Sequence, residues 1–175
     1  MDAAIEELKR AIRDVPDFPK QGIVFRDVTT LLKDRVAFRK AMDLFGKLCA
    51  GRRVDKVVGI ESRGFIFGSL LAERLAVGFV PARKPGKLPA TTRSVTYQLE
   101  YGQDSLEIHE DAVERGEQVL IVDDVIATGG TAQATGDLVR QLGGEVAAFA
   151  FLIELGFLHG RDRLAGHEVL SLIRY

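Results

Sequence analysis

The sequence predicts an α/β domain built on a mainly parallel sheet, and three observations carry that prediction. The runs V-L-I-V (119–122) and V-A-A-F-A-F-L-I (146–153) are apolar at every position, as strands covered on both faces are. Segments of helical period stand between such runs. Glycine-bearing turns separate the two kinds of segment, giving the order strand, helix, strand.

Each element can be justified in order. Residues 3–13 set Ile5, Leu8 and Ile12 on one helical face. D-V-P-D-F-P-K-Q-G then breaks the helix, with Pro16 and Pro19 biasing the residues before them to extended forms. G-I-V-F-R-D-V follows, and Asp27 or Thr29/Thr30 caps a short helix. Phe38, Ala41, Met42, Phe45, Leu48 and Cys49 recur at helical spacing over 37–49. V-D-K-V-V-G-I (54–60) reads as a strand, Glu61 to Gly64 as a turn, 65–76 as a helix and F-V-P-A-R-K (79–84) as another strand. Residues 84–94, K-P-G-K-L-P-A-T-T-R-S, lack periodicity and are expected to form an exposed, mobile loop. V-T-Y-Q-L-E-Y alternates, as a strand with one buried face does, and S-L-E-I-H-E repeats the pattern. Arg115-Gly116 turns the chain into the 119–122 strand. Residues 131–142 form a helix stopped by Gly143-Gly144, and H-E-V-L-S-L-I (167–173) is the last strand. No internal repeat or second full domain is visible; the first 35 or so residues are expected to form a small lobe of their own.

Composition narrows the function. A chain of 175 residues, 46% hydrophobic and 28% charged, suits one soluble domain with its own core. A net charge of −1 supplies no global field for nucleic acid or an anionic membrane, so neither is an expected partner. The single cysteine, Cys49, has no disulfide partner and no metal-ligand spacing around it, and it falls on an apolar helical face as a core thiol does. Asp2, Glu6 and Glu7 do not suit a signal peptide, and no segment approaches the roughly 18 apolar residues of a membrane span; the expected compartment is the cytoplasm.

Several motifs are absent. No G-x-G-x-x-G follows a strand, and no G-K-[ST] marks a P-loop. I-E-S-R-G lacks the glycine that a nucleophile elbow needs two residues before its serine. His109, His159 and His167 are scattered and read as surface residues. What remains is V-L-I-V-D-D-V-I-A-T-G-G-T, residues 119–131. Its strand delivers the chain to the carboxyl edge of a parallel sheet, where α/β proteins bind ligands. Gly129 and Gly130 permit positive φ and close approach of the backbone to a ligand. Backbone N–H groups, the helix dipole and the hydroxyls of Thr128 and Thr131 converge on an anion, a phosphate cradle without a lysine. Asp123 and Asp124 are costly if buried and unpaired; they suit the two hydroxyls of a ribose or a nearby Mg²⁺. The plainer alternative is a capped helix behind a strand with solvated aspartates.

The same stretch resembles the phosphoribosyl diphosphate signature of type I phosphoribosyltransferases. F-P-K-Q-G-I-V-F-R-D-V-T-T-L-L, G-I-E-S-R-G-F-I-F-G, R-K-P-G-K-L-P and Y-Q-L-E-Y-G are similar to segments of the adenine phosphoribosyltransferases, in that family's order and over essentially the whole chain. The resemblance implies the type I fold: a mainly parallel sheet flanked by helices, an N-terminal hood over residues 1–35, and a core over 36–175. Within that core, a mobile loop at about 84–100 closes over the site. It implies transfer of phosphoribosyl from phosphoribosyl diphosphate to adenine, giving AMP and pyrophosphate in purine salvage. Mg²⁺ is then held mainly by the substrate with Asp123 and Asp124 nearby, not by a dedicated protein site.

Residue by residue, the resemblance implies that Ala127, Thr128, Gly129, Gly130 and Thr131 hold the 5′-phosphate, and Asp123 and Asp124 the ribose. Ser62, Arg63, Lys84, Lys87 and Tyr101 surround pyrophosphate; taken alone, each lysine also suits a solvated surface. Arg63 and Glu100 are the implied catalytic residues, Glu100 handling the proton on the N3/N9 edge of adenine. The Glu61-Ser62 peptide is expected to be cis. Backbone around Val24 and Arg26 accepts from the exocyclic amine, with Phe25 and Leu155 against the purine; both also suit a core. Relatives that take 6-oxopurines place an aspartate where Ala127 stands, so the methyl favours adenine. The family often has proline where this chain has Thr30, a change of local stiffness. A homodimer is implied, with Arg83 near the partner's active site. The competing readings are a phosphoribosyltransferase for another base and a non-catalytic regulator that senses phosphoribosyl diphosphate.

Overall fold

A computed structural model describes residues 2–99 and 102–175. Helix α1 (Asp2–Ala11) leads into a hairpin of β1 (Arg13–Pro16) and β2 (Val24–Asp27), then α2 (Thr29–Lys33) and α3 (Arg35–Cys49). Next come β3 (Lys56–Ile60), α4 (Arg63–Leu75), β4 (Gly78–Ala82), and a second hairpin of β5 (Thr92–Leu99) and β6 (Gly102–His109). β7 (Gln118–Ile126), α5 (Gly130–Gln141) and β8 (Glu145–Glu154) follow, then two 3₁₀ turns (Gly156–Leu158, Gly160–Leu164) and β9 (Val169–Arg174).

The main sheet has the order β4-β3-β7-β8-β9, and every pair in it is parallel. Its middle strands are buried because their two faces feed two cores. Leu120 and Val122 point into one core with Phe45, Phe67 and Leu71, under α3 and α4. Val119 and Ile121 point into the other with Leu106, Ile108, Leu138 and Val139, under α5 and the second hairpin. That alternation inside an unbroken apolar run is the period-2 geometry of a strand. Truncating Leu120 or Phe45 to alanine would cost roughly 2–5 kcal/mol by cavity formation. Asp34 starts α3 by accepting from the Val36 and Ala37 N–H groups at 2.8 and 3.0 Å.

From β3 the chain moves outward to β4, and from β7 it moves the other way to β8 and β9. The direction of winding therefore reverses between β3 and β7. The crevice beyond their carboxyl ends is where an open α/β sheet takes a ligand.

The sequence expectations hold for the sheet and its helices, with four differences. The strand expected at 119–122 runs on to Ile126, because Asp123 and Val125 keep pairing with Phe151 and Ile153 of β8. The described residues among the first 35 have no core of their own: Leu8, Ile12, Val28 and Leu31 join the α3–α4 core, while β1 and β2 form a separate two-stranded sheet. Pairing of Thr92 with His109 starts β5 early and shortens the irregular loop expected over 84–94. The two 3₁₀ turns carry no periodicity and were not legible. As expected, the Glu61-Ser62 peptide is cis.

Candidate functional site

Three cavities meet at the crevice, and Asp123 lines all of them. The smallest, about 90 Å³, is enclosed by the turn from Ala127 to Thr131. Gly129 has φ +81°, which any other residue would resist, and precedes the first turn of α5. The 3₁₀ segment packs flush against this turn. A Cβ on Gly129 would lie 2.3 Å from the Gly160 carbonyl oxygen, and one on Gly160 would lie 2.2 Å from that of Ala127. The two backbones interlock, and neither position tolerates a side chain. Thr128 to Thr131, at the start of α5, line the cavity, and the N–H groups and hydroxyls such residues offer suit a phosphate.

The second cavity, about 310 Å³, lies between the turn after β3 and the second hairpin. Glu61, Ser62, Arg63 and Lys84 border it, together with Tyr97, Asp104, Asp123, Asp124 and Thr131. Gly64 lets α4 begin against β7: a Cβ there would come within 2.8 Å of the Val122 carbonyl oxygen and 2.9 Å of the Asp123 carboxylate. That approach sets Arg63 beside β7, where its Nε donates to Asp124 Oδ2. Burial works against the charge of Arg63, but the Asp124 carboxylate outweighs it and the guanidinium stays charged above its ordinary range. Asp123 accepts from the Asp124 N–H at 2.8 Å. Its burial, with the Asp124 charge alongside, pushes Asp123 well above the usual carboxylate range. On the hairpin side, Lys84 Nζ donates to Asp104 Oδ2 at 2.8 Å, and its backbone N–H to Glu61 Oε2 at 2.8 Å.

The third cavity, about 290 Å³, opens between β2 and the end of β7. Ile23, Val24, Phe25 and Arg26 form one wall; Val125, Ala127 and Leu155 form the other; Arg63 and the two aspartates floor it. The Arg63 guanidinium carbon stands 5.6 Å from the Phe25 ring centroid, so one arginine joins the aromatic wall to Asp124. The Arg26 side chain is committed elsewhere: its guanidinium carbon lies 3.9 Å from the Tyr175 ring centroid and its Nη1 pairs with Asp14. Its Nε is buried without a hydrogen-bond partner among the described residues.

The structure therefore brings together Ser62, Arg63, Lys84, Asp123, Asp124, Ala127 to Thr131, Val24, Phe25, Arg26 and Leu155. Lys87 does not join them; it is exposed, and its carbonyl accepts from Arg83 Nη1 at 3.1 Å. Arg83 also donates to Glu61 at 3.3 Å, within its own chain. Glu100 and Tyr101 lie outside the described residues. Sequence reasoning missed Glu61, Tyr97 and Asp104. Tyr97 and Asp104 face each other across the β5–β6 ladder, a register that only hairpin pairing reveals.

The chain matches the phosphoribosyl transferase domain family over residues 27–168. It is 59% identical to an adenine phosphoribosyltransferase of Acidobacterium capsulatum, over 97% of this chain and 94% of that one. The chain belongs to the adenine phosphoribosyltransferase family. Two solved members of the family superpose closely. The adenine phosphoribosyltransferase of Thermoanaerobacter pseudethanolicus matches with a TM-score of 0.95 at 55% identity, over 98% of this chain and 99% of that one. That of Saccharomyces cerevisiae, solved with adenine and an imino-altritol bisphosphate, matches with a TM-score of 0.92 at 42% identity, over 99% and 100%. The type I fold expected from the sequence is the fold of this family.

Proposed function

We infer that this chain transfers the 5-phosphoribosyl group from phosphoribosyl diphosphate to adenine, releasing AMP and pyrophosphate in purine salvage. The observation that carries the reading is the junction of three cavities on Asp123: a phosphate-sized cradle, a cavity with two cations, and an apolar slot closed by β2. They match the three parts of a phosphoribosyl transfer in size and chemistry. Family membership and the adenine bound in the yeast relative support the same assignment.

In this reading Ala127 to Thr131 hold the 5′-phosphate through N–H groups and hydroxyls. Asp123 and Asp124 accept from the ribose hydroxyls at the centre. Ser62, Arg63 and Lys84 receive the diphosphate, with Arg63 placed to stabilise charge that develops on the leaving group. Val24, Phe25 and Leu155 sandwich the purine, and the backbone of β2 at Val24 and Arg26 meets its exocyclic amine. Glu100 remains the proposed handler of the base proton, with Tyr101 beside the pyrophosphate. Lys87 joins them only if the 84–100 segment closes over the site. The Ala127 methyl lines the base cavity and gives no acid to a 6-oxopurine.

Mg²⁺ fits the second cavity on charge grounds. Among the described residues that line it, Glu61, Asp104, Asp123 and Asp124 outnumber Arg63 and Lys84. A diphosphate polyanion is repelled by such a lining unless it arrives with divalent cations. Mg²⁺ would neutralise phosphoryl oxygens, held mainly by the substrate with Asp123 and Asp124 near it. The proposed setting is a soluble cytoplasmic homodimer; no helix of the described residues is long and apolar enough to cross a membrane.

The direct test is to supply phosphoribosyl diphosphate and Mg²⁺ with each purine in turn and follow pyrophosphate release. AMP formed from adenine, in preference to IMP from hypoxanthine, is the expected result; no AMP from adenine sinks the reading.

A further inference from the structure

A carboxylate is an odd lining for a cavity that receives a diphosphate, and neither the ribose nor the Arg63 contact explains Glu61 or Asp104 there; Asp104 is the one that holds a lysine ammonium. It sits on β6 directly across from Tyr97 of β5. Its Oδ2 holds Lys84 Nζ at 2.8 Å, and its Oδ1 accepts from the Ser105 N–H at 2.9 Å. Burial opposes the charge of Asp104, but the Lys84 and Ser105 donors and the Tyr97 hydroxyl outweigh it and hold the carboxyl below its ordinary range. Lys84 is tethered at its other end, where its backbone N–H donates to Glu61 at 2.8 Å. The lysine is thus fixed at the main chain and free only along its stem. Its ammonium has three donors and no preferred plane, so it can exchange one oxyanion for another by rotation.

We propose that Asp104 is an intramolecular competitor for Lys84, a positioning residue that takes the lysine back from pyrophosphate and so weakens retention of that product. When a diphosphate occupies the cavity, the Lys84 ammonium leaves Asp104 for a phosphoryl oxygen. Asp104 keeps its Ser105 N–H donor during that exchange, so its charge is not stranded. When pyrophosphate departs, Asp104 recovers the lysine. The carboxylate therefore lowers affinity for the diphosphate end of the ligand and leaves the 5′-phosphate and base ends untouched. The inference rests on the reading that this cavity receives pyrophosphate.

The experiment is a double-mutant cycle on the full chain, with magnesium pyrophosphate titrated by calorimetry at fixed Mg²⁺. Asp104→Asn keeps the shape and removes the charge. It should bind pyrophosphate with a roughly two- to fivefold lower Kd than the unaltered chain, the span set by a partly exposed ion pair. In the Lys84→Ala background the same change should tighten binding clearly less, by no more than the relief of charge repulsion, because there is no lysine to compete for. AMP affinity should be equal in all four proteins. A merely structural role for Asp104 predicts weaker binding. Equal or weaker pyrophosphate binding by Asp104→Asn overturns the proposal, as does a tightening that is just as large without Lys84. If the unaltered chain binds AMP but no magnesium pyrophosphate, the cavity assignment itself fails, which the cycle distinguishes from failure of the competition.

Discussion

The cradle and the larger cavity proposed for the diphosphate share Asp123 and Thr131 yet are built in opposite ways. The cradle is one continuous turn, about 90 Å³, whose groups belong mostly to the backbone and whose shape depends on two glycines. The larger cavity, about 310 Å³, is assembled from side chains on five separate stretches: the turns after β3 and β4, the second hairpin, the end of β7 and the start of α5. A backbone site is rigid and intolerant; a side-chain site is adjustable and can include groups that oppose binding. On the proposed assignment the difference teaches why one chain needs both, since a substrate must be held firmly at the end that stays and loosely at the end that leaves.

The largest expected effect comes from attacking the cradle. Gly129→Ala introduces a Cβ where Gly160 leaves no room and where φ is +81°. Displacing the turn by even about 1 Å should lower kcat/KM on the order of 100-fold, read by steady-state kinetics. A loss below about threefold would mean that the cradle yields like a side-chain site, which breaks the contrast.

A smaller effect, of mixed sign, is expected at the shared residue. The Asp123 carboxyl titrates higher in the folded chain than in the unfolded one, so the folded form binds more protons and stability falls as pH rises past the ordinary carboxylate range. Asp123→Asn removes that penalty. It should raise Tm at pH 7 by a few degrees, at ~2–4 °C per kcal/mol, while donor KM rises roughly tenfold. A lowered Tm would show that the charge at Asp123 stabilises the fold.

The smallest effect lies outside both cavities. Asp27 is held at a pKa of about 2, first by its hydrogen bond from Arg13 and then by Thr29. Its folded value is depressed, so the stabilisation is present above the ordinary carboxylate value near 4 and is lost as pH falls toward 2. Asp27→Asn should cost roughly 1 kcal/mol at pH 7 with the deficit vanishing toward pH 2, measured by urea unfolding across that range. A deficit independent of pH would assign the loss to packing.

The same contrast explains what the sequence made legible. The cradle could be read from V-L-I-V-D-D-V-I-A-T-G-G-T because its parts are neighbours in the chain. The sheet could be read because Val119 to Val122 are apolar without interruption and both faces need cover. The end of β7 was misjudged because Asp123 and Asp124 look like a stop signal, whereas pairing with β8 carries them inside the strand. Asp104 and Tyr97 escaped because their meaning lies in a cross-strand register. Glu61 was visible only as a turn residue, although it anchors the Lys84 backbone. The lock on the cradle escaped too, since nothing near Gly160 announces that it will meet Ala127.

The stacking of Arg26 on Tyr175, 3.9 Å apart, has a consequence in time. Arg26 leaves the ribosome early and Tyr175 late, and the wall of the base cavity depends on both. The cradle likewise waits for Gly160 to arrive against Ala127. The α3–α4 core also waits for Leu170 and Ile173 of β9, so the fold and the site are completed together during synthesis. Ligand added to stalled nascent chains should then find no complete slot at the proposed base site until the segment carrying Tyr175 has emerged.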